Sequence, residues 1–513
     1  MTALVPTVDT QPASPATRPA ALRGGPWLLA GLIVAVGTAV RIPQLFHTLG
    51  GSHSFRQTQT AMVARNYAER GIDLFHTPLN VFGAGSDVPM ELPLVQAIAA
   101  LLVKLGLSAD VAMRLVNLVS FQATALLLFA LVLRWHGRRV AFIALVLLEF
   151  VPFTLLWGAA ALIEFSAVAL SLAMVLALDR WFTGGRWWWL AIGAVSGWLA
   201  FLVKVTTVPG FLVLLAGSGV AVLVQRGWRQ AWPRVVVGGA VAVVPGLALA
   251  VAWTRYADQI KAANFMTASL TSSALQDWNF GTRAQRLDTT GYVTIMERVI
   301  DEIAGPFALT LFAGVAAAVL CRSLVARVRG LTWAAVAVFA PLVFFNLYVV
   351  HNYYLCAIVP AIAVLAALGI DGLARLAPDG RRQTVFAALA LLFILVNTAI
   401  SPLGRHDVRE WRVEAGRPAL ADVLASHTEP GSKVIFAGCG WDPTYAYLAR
   451  RDALMLRSPE DRAYWDSASD SNEYRWLYAC GDVDPMLYLP PGAVATRSGQ
   501  PELWRVSVTG SPA

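Results

Sequence analysis

Charged side chains are scarce in this chain of 513 residues. Asp, Glu, Lys and Arg make up only 14% of it, while 57% is hydrophobic and the mean hydropathy is +0.59. Soluble domains carry about 25% charged residues. The scarcity therefore excludes an ordinary soluble protein and indicates a polytopic membrane protein.

Cysteine is also rare, with four residues and no CxxC or Cys/His spacing that indicates a structural metal site. Cys439 and Cys480 fall in a polar C-terminal region that the topology below assigns to the outside, where oxidising conditions permit a disulfide. Cys321 and Cys356 lie near opposite faces of the membrane and are expected to be free thiols.

Long apolar runs, in contrast, are abundant. A helix needs about 20 apolar residues to cross a bilayer, where it must satisfy its own backbone hydrogen bonds. The runs predict about eleven transmembrane helices, at residues 26–46, 112–133, 139–157, 160–178, 187–205, 208–225, 234–253, 304–321, 331–349, 353–374 and 384–401. The segment Leu92 to Leu107 is too short and carries Lys104, so it predicts a helix lying on the outer surface.

Arginine gathers in every second short loop. These basic loops are 134–139, 179–186, 226–234, 322–329 and 375–382, together with Arg18 and Arg23 in the N-terminal segment. The positive-inside rule assigns them to the cytoplasm. The net charge of +8 is then a topology signal rather than a sign of nucleic-acid binding, and no nucleic-acid partner is expected.

This topology divides the chain into three parts. Residues 1–25, rich in Pro, Ala and Thr, are expected to be a flexible cytoplasmic tail rather than a cleaved signal peptide. Residues 26–401 form the transmembrane module, with outer loops at 47–111 and 254–303. Residues 402–513 have the composition of a small soluble α/β domain outside the membrane.

The polar stretch Gly50 to Leu94 within the first outer loop holds most of the candidate chemistry, because loops this long in compact proteins are usually functional or disordered. Two ionisable residues, Glu164 and Lys204, also lie inside apolar segments, close to their outer ends. Such residues are expensive in lipid and are candidates for function. The alternative is that each side chain extends into the headgroup region.

The order of several motifs resembles the GT-C membrane glycosyltransferases, and most closely family 39, the protein O-mannosyltransferases and lipid A aminoarabinose transferases. The motifs are Ala64-Arg65-Asn66-Tyr67, Met90-Glu91-Leu92-Pro93-Leu94, Glu164, Lys204 and His351-Asn352-Tyr353-Tyr354-Leu355. The resemblance implies an all-α GT-C-like module in the cell membrane. It also implies transfer of a sugar from a polyprenyl-phosphate-linked donor to an envelope acceptor, with inversion, on the outer face.

Members of this family usually carry an acidic Asp-Glu pair before the Ala-Arg motif, and this chain has Arg56-Gln57 there. We therefore expect the catalytic carboxylate to be Glu91, with Asp87 as second choice. An acid in the later outer loop, Asp277, Asp288 or Glu297, is the alternative, and a protein that only binds lipid-linked glycans is another.

The resemblance assigns the remaining candidates to one cavity. Donor phosphate is expected to meet Arg56, Lys204, Tyr353 and Tyr354, since guanidinium suits phosphate well. Other cavity residues are His53, Gln57, Glu164 and His351.

Glu91 and His351 could share a divalent metal ion, although a lone interfacial His is more often a packing residue. Trp278, in the polar run Gln276–Gly281, could stack on a sugar ring or simply pack within its loop.

Two other classes of membrane protein share this composition. A transporter or flippase of lipid-linked glycans is disfavoured because the chain has no internal repeat and its charges cluster outside. An envelope polysaccharide polymerase or ligase often has its key residues in a large later loop, and the loop from Arg255 to Glu302 keeps this possibility open.

Overall fold

The structure is a computed structural model that describes residues 25–83, 86–305, 309–416, 419–467, 473–500 and 502–508. The predicted flexible tail, with Arg18 and Arg23, lies outside the described residues except for Gly25. Before the C-terminal domain the regular elements of the described residues are helices, apart from isolated β-bridges at Pro78, Phe82 and Asp87.

The described residues of the first half of the chain form ten α-helices, several long enough to span a bilayer. They are α1 Gly25–Ala39, α2 Ser54–Arg70, α3 Leu94–Lys104, α4 Ala109–His136, α5 Arg138–Phe150, α6 Pro152–Trp157, α7 Glu164–Gly184, α8 Trp187–Lys204, α9 Val208–Arg226 and α10 Trp228–Ala263. Short 3-10 turns lie at Pro43–Phe46 and Val205–Thr207. Helix α3 has 11 residues, as expected of a surface element rather than a crossing one.

The second half alternates short outer helices with longer ones. They are α11 Gln276–Phe280, α12 Arg283–Leu287, α13 Thr289–Val299, α14 Leu309–Val319, α15 Leu324–Val343, α16 Phe345–Val350, α17 Val359–Ala374, α18 Gly380–Ile400, α19 Pro402–Arg412 and α20 Ala419–His427. A π-helical turn covers Ile300–Ala304, and 3-10 turns cover Ala268–Leu270 and Asn352–Ala357.

The predicted count of eleven spans is not confirmed. In the described part of the chain, seven helical segments are long and apolar enough to cross a membrane, or eight if the bent pair Thr289–Ala304 and Leu309–Val319 is one span. Three of the predicted spans fall on helices α5, α14 and α17 of 13, 11 and 16 residues. These are shorter than the roughly 20 residues that a crossing helix needs.

The 40-residue segment Trp187–Arg226 counts as one of the seven, yet the chain reverses within it. Lys204 is bonded to Glu164 at the start of α7, while Ser218 donates to Asp179 near the end of α7. Gly193, before the turn, also packs near the end of α7, against Leu178. Helices α8 and α9 therefore run in opposite directions along α7, as two separate passes.

The basic loops come together at one end of the helical bundle. Arg134 forms an ion pair with Asp179 at 2.5 Å, and Arg139 and Arg375 both bind Asp371. The Glu164–Lys204 pair lies at the opposite end. The alternation predicted from arginine positions is thus reproduced in how the helices are packed.

The C-terminal α/β region contains a five-stranded sheet of order β2-β1-β3-β5-β4. Its elements are β1 Lys433–Ala437, α21 Thr444–Ala449, β2 Asp452–Leu456, α22 Arg462–Ser467, β3 Tyr474–Ala479, β4 Ala493–Arg497 and β5 Leu503–Val508, with 3-10 turns at Pro459–Asp461 and Pro485–Tyr488. Strand β1 pairs in parallel with β2 and β3, and β5 pairs antiparallel with β3 and β4. Helix α19, predicted to belong to this domain, instead packs against α6 and α18 of the helical bundle.

The first outer loop covers one edge of this sheet, the edge formed by β2. Ala453 and Met455 of β2 donate backbone hydrogen bonds to Asn80 and Val81, and Gly83 donates back to Ala453 at 2.9 Å. A strand edge left unpaired offers exposed hydrogen-bonding groups, so added backbone pairing is stabilising. The sheet therefore fixes the loop just ahead of Asp87 and Glu91.

Cys439 and Cys480 form a disulfide, and Cys321 and Cys356 are free. The bond links the ends of β1 and β3 and closes a loop with a sequence separation of 41 residues. Closing such a loop restricts the unfolded chain. Replacing both cysteines by alanine is expected to destabilise the outer domain by about 2–4 kcal/mol.

Thermal unfolding of the purified protein, with and without reductant, measures this effect. Cys321→Ala is the matched control and should unfold like wild type. An unchanged unfolding temperature in the double variant would show that the disulfide contributes nothing to stability.

Candidate active site

An ion pair joins the first outer helix to the start of the surface helix. Arg56, in the first turn of α2, donates to Glu91 Oε1 at 2.8 Å, although the two residues are 35 positions apart. The same guanidinium donates to Gln59 at 2.7 Å, and Gln96 of α3 donates to Glu91 at 3.2 Å. A narrow cleft lies beside this group, lined also by Thr60 and Met90 among others.

A second ion pair lies at the outer ends of α7 and α8. Lys204 Nζ is 2.5 Å from Glu164 Oε1, and both side chains are buried. Glu164 Oε2 also accepts the backbone N–H of Ile163, so the carboxylate caps the start of its own helix, where negative charge is favourable. Lys204 Nζ lies 4.6 Å from the ring centre of Tyr354.

The two ion pairs interact with each other. Burial lowers the pKa of Arg56, but the negative charges of Glu91 and Glu164 outweigh it and raise the pKa above its ordinary value. Arg56, Glu91, Glu164 and Lys204 therefore belong to one cluster of two cations and two carboxylates, as the sequence predicts for one cavity. A doubly charged phosphate group entering here would meet guanidinium and ammonium together.

Aromatic rings form the wall beside this cluster. The His53 ring lies 4.9 Å from Tyr353 and 5.3 Å from His351, and the Tyr353 ring is stacked on both His351 and Tyr354. His53 has a left-handed backbone with φ of 50°, which is uncommon outside glycine and clusters at functional sites. Its Nε2 is held at 3.0 Å by Asn352.

Both histidines are uncharged at neutral pH. Burial lowers the pKa of His53. Burial also lowers the pKa of His351 to about 4, and the nearby charges of Lys204 and Arg56 act in the same direction. The two histidines of this wall are therefore polar but uncharged, and Arg56 and Lys204 are the cations nearest the two carboxylates.

Two predicted residues have structural contacts instead. Asp87 accepts the backbone N–H of Thr77 and pairs with Pro78 across a short hairpin, and burial raises its pKa. Gln57 bonds the carbonyl of Ser52 and the N–H of Ala161, which ties the start of α2 to the loop before α7. Neither side chain contacts the Arg56–Glu91 pair in the described residues.

The acids of the later loop lie away from the cluster. Asp277, Asp288 and Glu297 are all exposed, and Asp288 caps helix α13 by accepting from Thr290. No contact joins any of the three to Arg56 or Lys204 in the part of the chain that the structure describes. Their geometry gives the alternative base no support.

Glu91 and His351 do not complete a metal site. Within the described residues no group of three or more His, Cys, Asp and Glu side chains is arranged to hold a metal ion. Glu91 accepts from the Arg56 guanidinium and the Gln96 amide, and the His351 ring lies among aromatic rings. The divalent metal stays a prediction, and no step below depends on it.

Sequence reasoning missed the amides that complete the site, Gln59, Gln96 and Asn352. Gln59 follows Arg56 by three positions, the spacing of neighbours on one helix face, so its contact with Arg56 could have been anticipated. Gln96 and Asn352 gave no such signal, since their partners come from other elements.

The outer domain also reaches the site. Trp441 packs edge-on against Phe55 at 4.6 Å, and Thr444 lies 3.4 Å from Thr58, so α21 and the preceding loop support the first turns of α2. Farther along α2, Arg65 stacks on Tyr447 at 4.6 Å. The helix that carries Arg56 is thus held between the membrane bundle and the soluble domain.

Comparison with known proteins places this arrangement in a recognised fold. Residues 87–250 match the family model described as dolichyl-phosphate-mannose-protein mannosyltransferase. No curated protein sequence matches the chain.

Among solved structures, ArnT from Cupriavidus metallidurans bound to undecaprenyl phosphate is similar, with a TM-score of 0.60 and 15% identity over 96% of this chain and 100% of that one. The Archaeoglobus fulgidus oligosaccharyltransferase in its apo form has a TM-score of 0.54 and 14% identity over 89% of this chain and 69% of that one. The arabinofuranosyltransferase AftD from Mycobacteria has a TM-score of 0.50 and 17% identity over 92% and 37%. These likenesses show a shared fold.

Proposed function

Since the chain has the GT-C fold and resembles glycosyltransferase family 39, we propose that it transfers a sugar from a polyprenyl-phosphate-linked donor to an envelope acceptor. The observation that carries the proposal is the pairing of Arg56 with Glu91 beside the buried Lys204–Glu164 pair. The two cations can bind a phosphate, and the carboxylate of Glu91 in the same cleft can accept a proton. This combination suits the chemistry of a phosphate leaving group.

Glu91 is the better base of the two carboxylates. Both oxygens of Glu164 are engaged, one by Lys204 and one by a backbone N–H. Glu91 uses only Oε1, and its other oxygen has no hydrogen-bond partner within the described residues. The free oxygen is available to accept the proton of an incoming hydroxyl.

The reaction follows from these positions. The acceptor hydroxyl oxygen forms a bond to the anomeric carbon while its proton passes to Glu91. The bond from that carbon to the carrier's phosphate breaks, and the negative charge on the departing oxygen is stabilised by Arg56 and Lys204. Attack from the face opposite the phosphate inverts the anomeric centre, and no covalent intermediate is needed.

Donor binding also prepares the base. A phosphate near Arg56 competes with Glu91 for the guanidinium, because guanidinium binds phosphate and carboxylate in the same bidentate manner. A carboxylate that loses its cationic partner holds a proton more tightly. Binding of the donor would thus turn a paired carboxylate into an active base at the moment it is needed.

The proposed reaction takes place outside the membrane. The basic ends of the bundle, such as the Arg134–Asp179 pair, lie opposite the ion-pair cluster, and the positive-inside rule assigns them to the cytoplasm. In the proposed orientation the N-terminus lies in the cytoplasm and the sheet domain lies outside the inner or plasma membrane. An apolar carrier in the bilayer would reach the cluster from the side.

Arg56→Ala tests the phosphate site. In nanodiscs, we expect it to weaken binding of undecaprenyl phosphate by about tenfold to a hundredfold, since a hydrogen bond to a charged group contributes about 1.5–3 kcal/mol. Arg70→Ala, an exposed arginine on the same helix, is the matched control and should bind like wild type. Equal binding by Arg56→Ala and wild type would remove Arg56 from the donor site.

A protein that binds lipid-linked sugar without transferring it is the second candidate. It is favoured by Arg56-Gln57 standing where the family usually has its acidic pair. Transfer from undecaprenyl-phosphate sugars to membrane extracts in reconstituted vesicles separates the two. Binding without any transfer would support the binder.

A further inference from the structure

An exposed tryptophan marks the entrance to the ion-pair cluster. Trp278 lies on α11 in the later outer loop, and the residue is 47% exposed. Its ring centre is 5.9 Å from that of His351, which is stacked on Tyr353 at 5.2 Å. The Tyr353 ring in turn lies 5.6 Å from Lys204 Nζ. A continuous row of rings therefore leads from the surface to the proposed phosphate site.

The backbone under this tryptophan is held in place. Asn346 donates its side-chain N–H to the carbonyl of Trp278 at 2.8 Å, and Gly281 ends the helix with a φ of +78° and a hydrogen bond to Asp277. A fixed backbone presents the indole at little cost in conformational entropy when a ligand binds.

The neighbouring aromatic residue on the same helix behaves differently. Phe280 is stacked on Phe344 at 5.1 Å with nearly parallel rings, so its contacts are those of ordinary packing. Among the residues that the structure describes, Trp278 has one aromatic neighbour, His351, and polar residues Gln276, Asp277 and Asn279 are around it in sequence. A polar, partly hydrated setting favours a ligand with both apolar faces and hydroxyl groups over lipid chains.

His351 has unused hydrogen-bonding capacity at the same place. Neither of its ring nitrogens has a hydrogen-bond partner within the described residues, and Nδ1 is buried. Its pKa of about 4 keeps the ring neutral, so one nitrogen can accept and the other can donate. A buried polar atom without a partner is unusual and calls for an explanation.

We propose that Trp278 and His351 form a subsite for the sugar of the lipid-linked donor. The apolar C–H face of the sugar ring stacks on the indole, and a sugar hydroxyl pairs with a ring nitrogen of His351. The subsite rests on the proposed function, because the phosphate at Arg56 and Lys204 would bring the sugar to it. It adds the recognition of the sugar itself, which the phosphate site cannot provide.

The test compares lipids with and without the sugar. Purified full-length protein in nanodiscs is titrated with undecaprenyl phosphate and with the same lipid carrying mannose, glucose or arabinose. Wild type is expected to bind at least one glycosylated lipid more tightly than the bare lipid. Trp278→Ala should weaken binding of that glycosylated lipid by about 3- to 10-fold, as expected from the loss of one aromatic stacking contact. It should leave binding of the bare lipid unchanged.

Controls keep the result specific. Trp278→Phe retains a stacking face and should recover most of the affinity, while Phe280→Ala should bind both lipids like wild type. If Trp278→Ala weakened binding of both lipids equally, Trp278 would be a membrane-interface anchor and the subsite would be overturned. Unchanged binding of the glycosylated lipid by Trp278→Ala would overturn it as well. Equal affinity of wild type for bare and glycosylated lipids would overturn it too, while leaving the phosphate site intact. Binding of neither lipid to wild type would reject the proposed function itself.

Discussion

Replacing Glu91 by glutamine is expected to lower the rate of sugar transfer by about 10²- to 10⁴-fold, the range typical of a lost general base. Glutamine keeps the size and the hydrogen bond of the side chain but cannot take up a proton at neutral pH. Transfer from an undecaprenyl-phosphate sugar in reconstituted vesicles, measured at saturating donor, gives the rate.

The same variant, Glu91→Gln, should not weaken donor binding. Glu91 competes with phosphate for Arg56 across a distance of 2.8 Å. Its neutral analogue releases the guanidinium, so Glu91→Gln should bind undecaprenyl phosphate at least as tightly as wild type. A loss of rate together with retained or tighter binding is a signature that simple unfolding cannot produce.

Two other carboxyl-to-amide variants serve as controls for Glu91→Gln. Asp87→Asn alters the acid that closes the hairpin at Thr77, and it should retain most transfer activity if its role is structural. Glu164→Gln disturbs the buried ion pair and should reduce protein yield as well as activity. Full transfer activity in Glu91→Gln would show that another group is the base.

Breaking the Lys204–Glu164 pair is expected to have the largest effect on stability. Both side chains are buried, with exposures of 7% and 2%. Removing one partner leaves an uncompensated charge in a medium of low dielectric, which costs about 3–5 kcal/mol. Lys204→Met should therefore unfold at a clearly lower temperature than wild type in the same detergent or nanodisc.

A double variant separates the cost of the lone charge from the contribution of the pair. Lys204→Met combined with Glu164→Leu removes both charges, and replacement of a buried pair by apolar residues is often nearly neutral for stability. We expect it to recover most of the lost stability but not donor binding. Arg382→Ala breaks the exposed pair with Asp379 and is the control, with little change expected.

Much of the site was predictable because its residue types are unusual where they occur. Glu164 and Lys204 stand out as charges inside apolar runs, and such charges are costly unless they are paired. Arg56 and Glu91 stand out as charges in a long polar loop of an apolar chain. The departure of Arg56-Gln57 from the family's acidic pair also directed attention to Glu91.

Other features could not be foreseen because they depend on contacts between distant segments. Asp87, the second choice for the base, accepts the backbone N–H of Thr77 in the hairpin with Pro78, and a catalytic role for it stays a prediction. Helix α19 follows the last predicted span in sequence and was predicted to belong to the soluble domain. It packs instead against the helical bundle. Hydrophobic length alone also could not foresee that three predicted spans fall on helices of 16 residues or fewer.

The sequence by itself determined the membrane class, the short length of helix α3 and the candidate charges, and it predicted the side on which the basic loops lie. These follow from hydrophobic length and from the cost of placing charge in lipid, which are local properties of the chain. Only the tertiary structure decided which charge pairs with which, because those pairs join residues 35 and 40 positions apart. It also decided that residues 80–83 extend the sheet edge, since backbone pairing between distant segments leaves no mark in composition or periodicity.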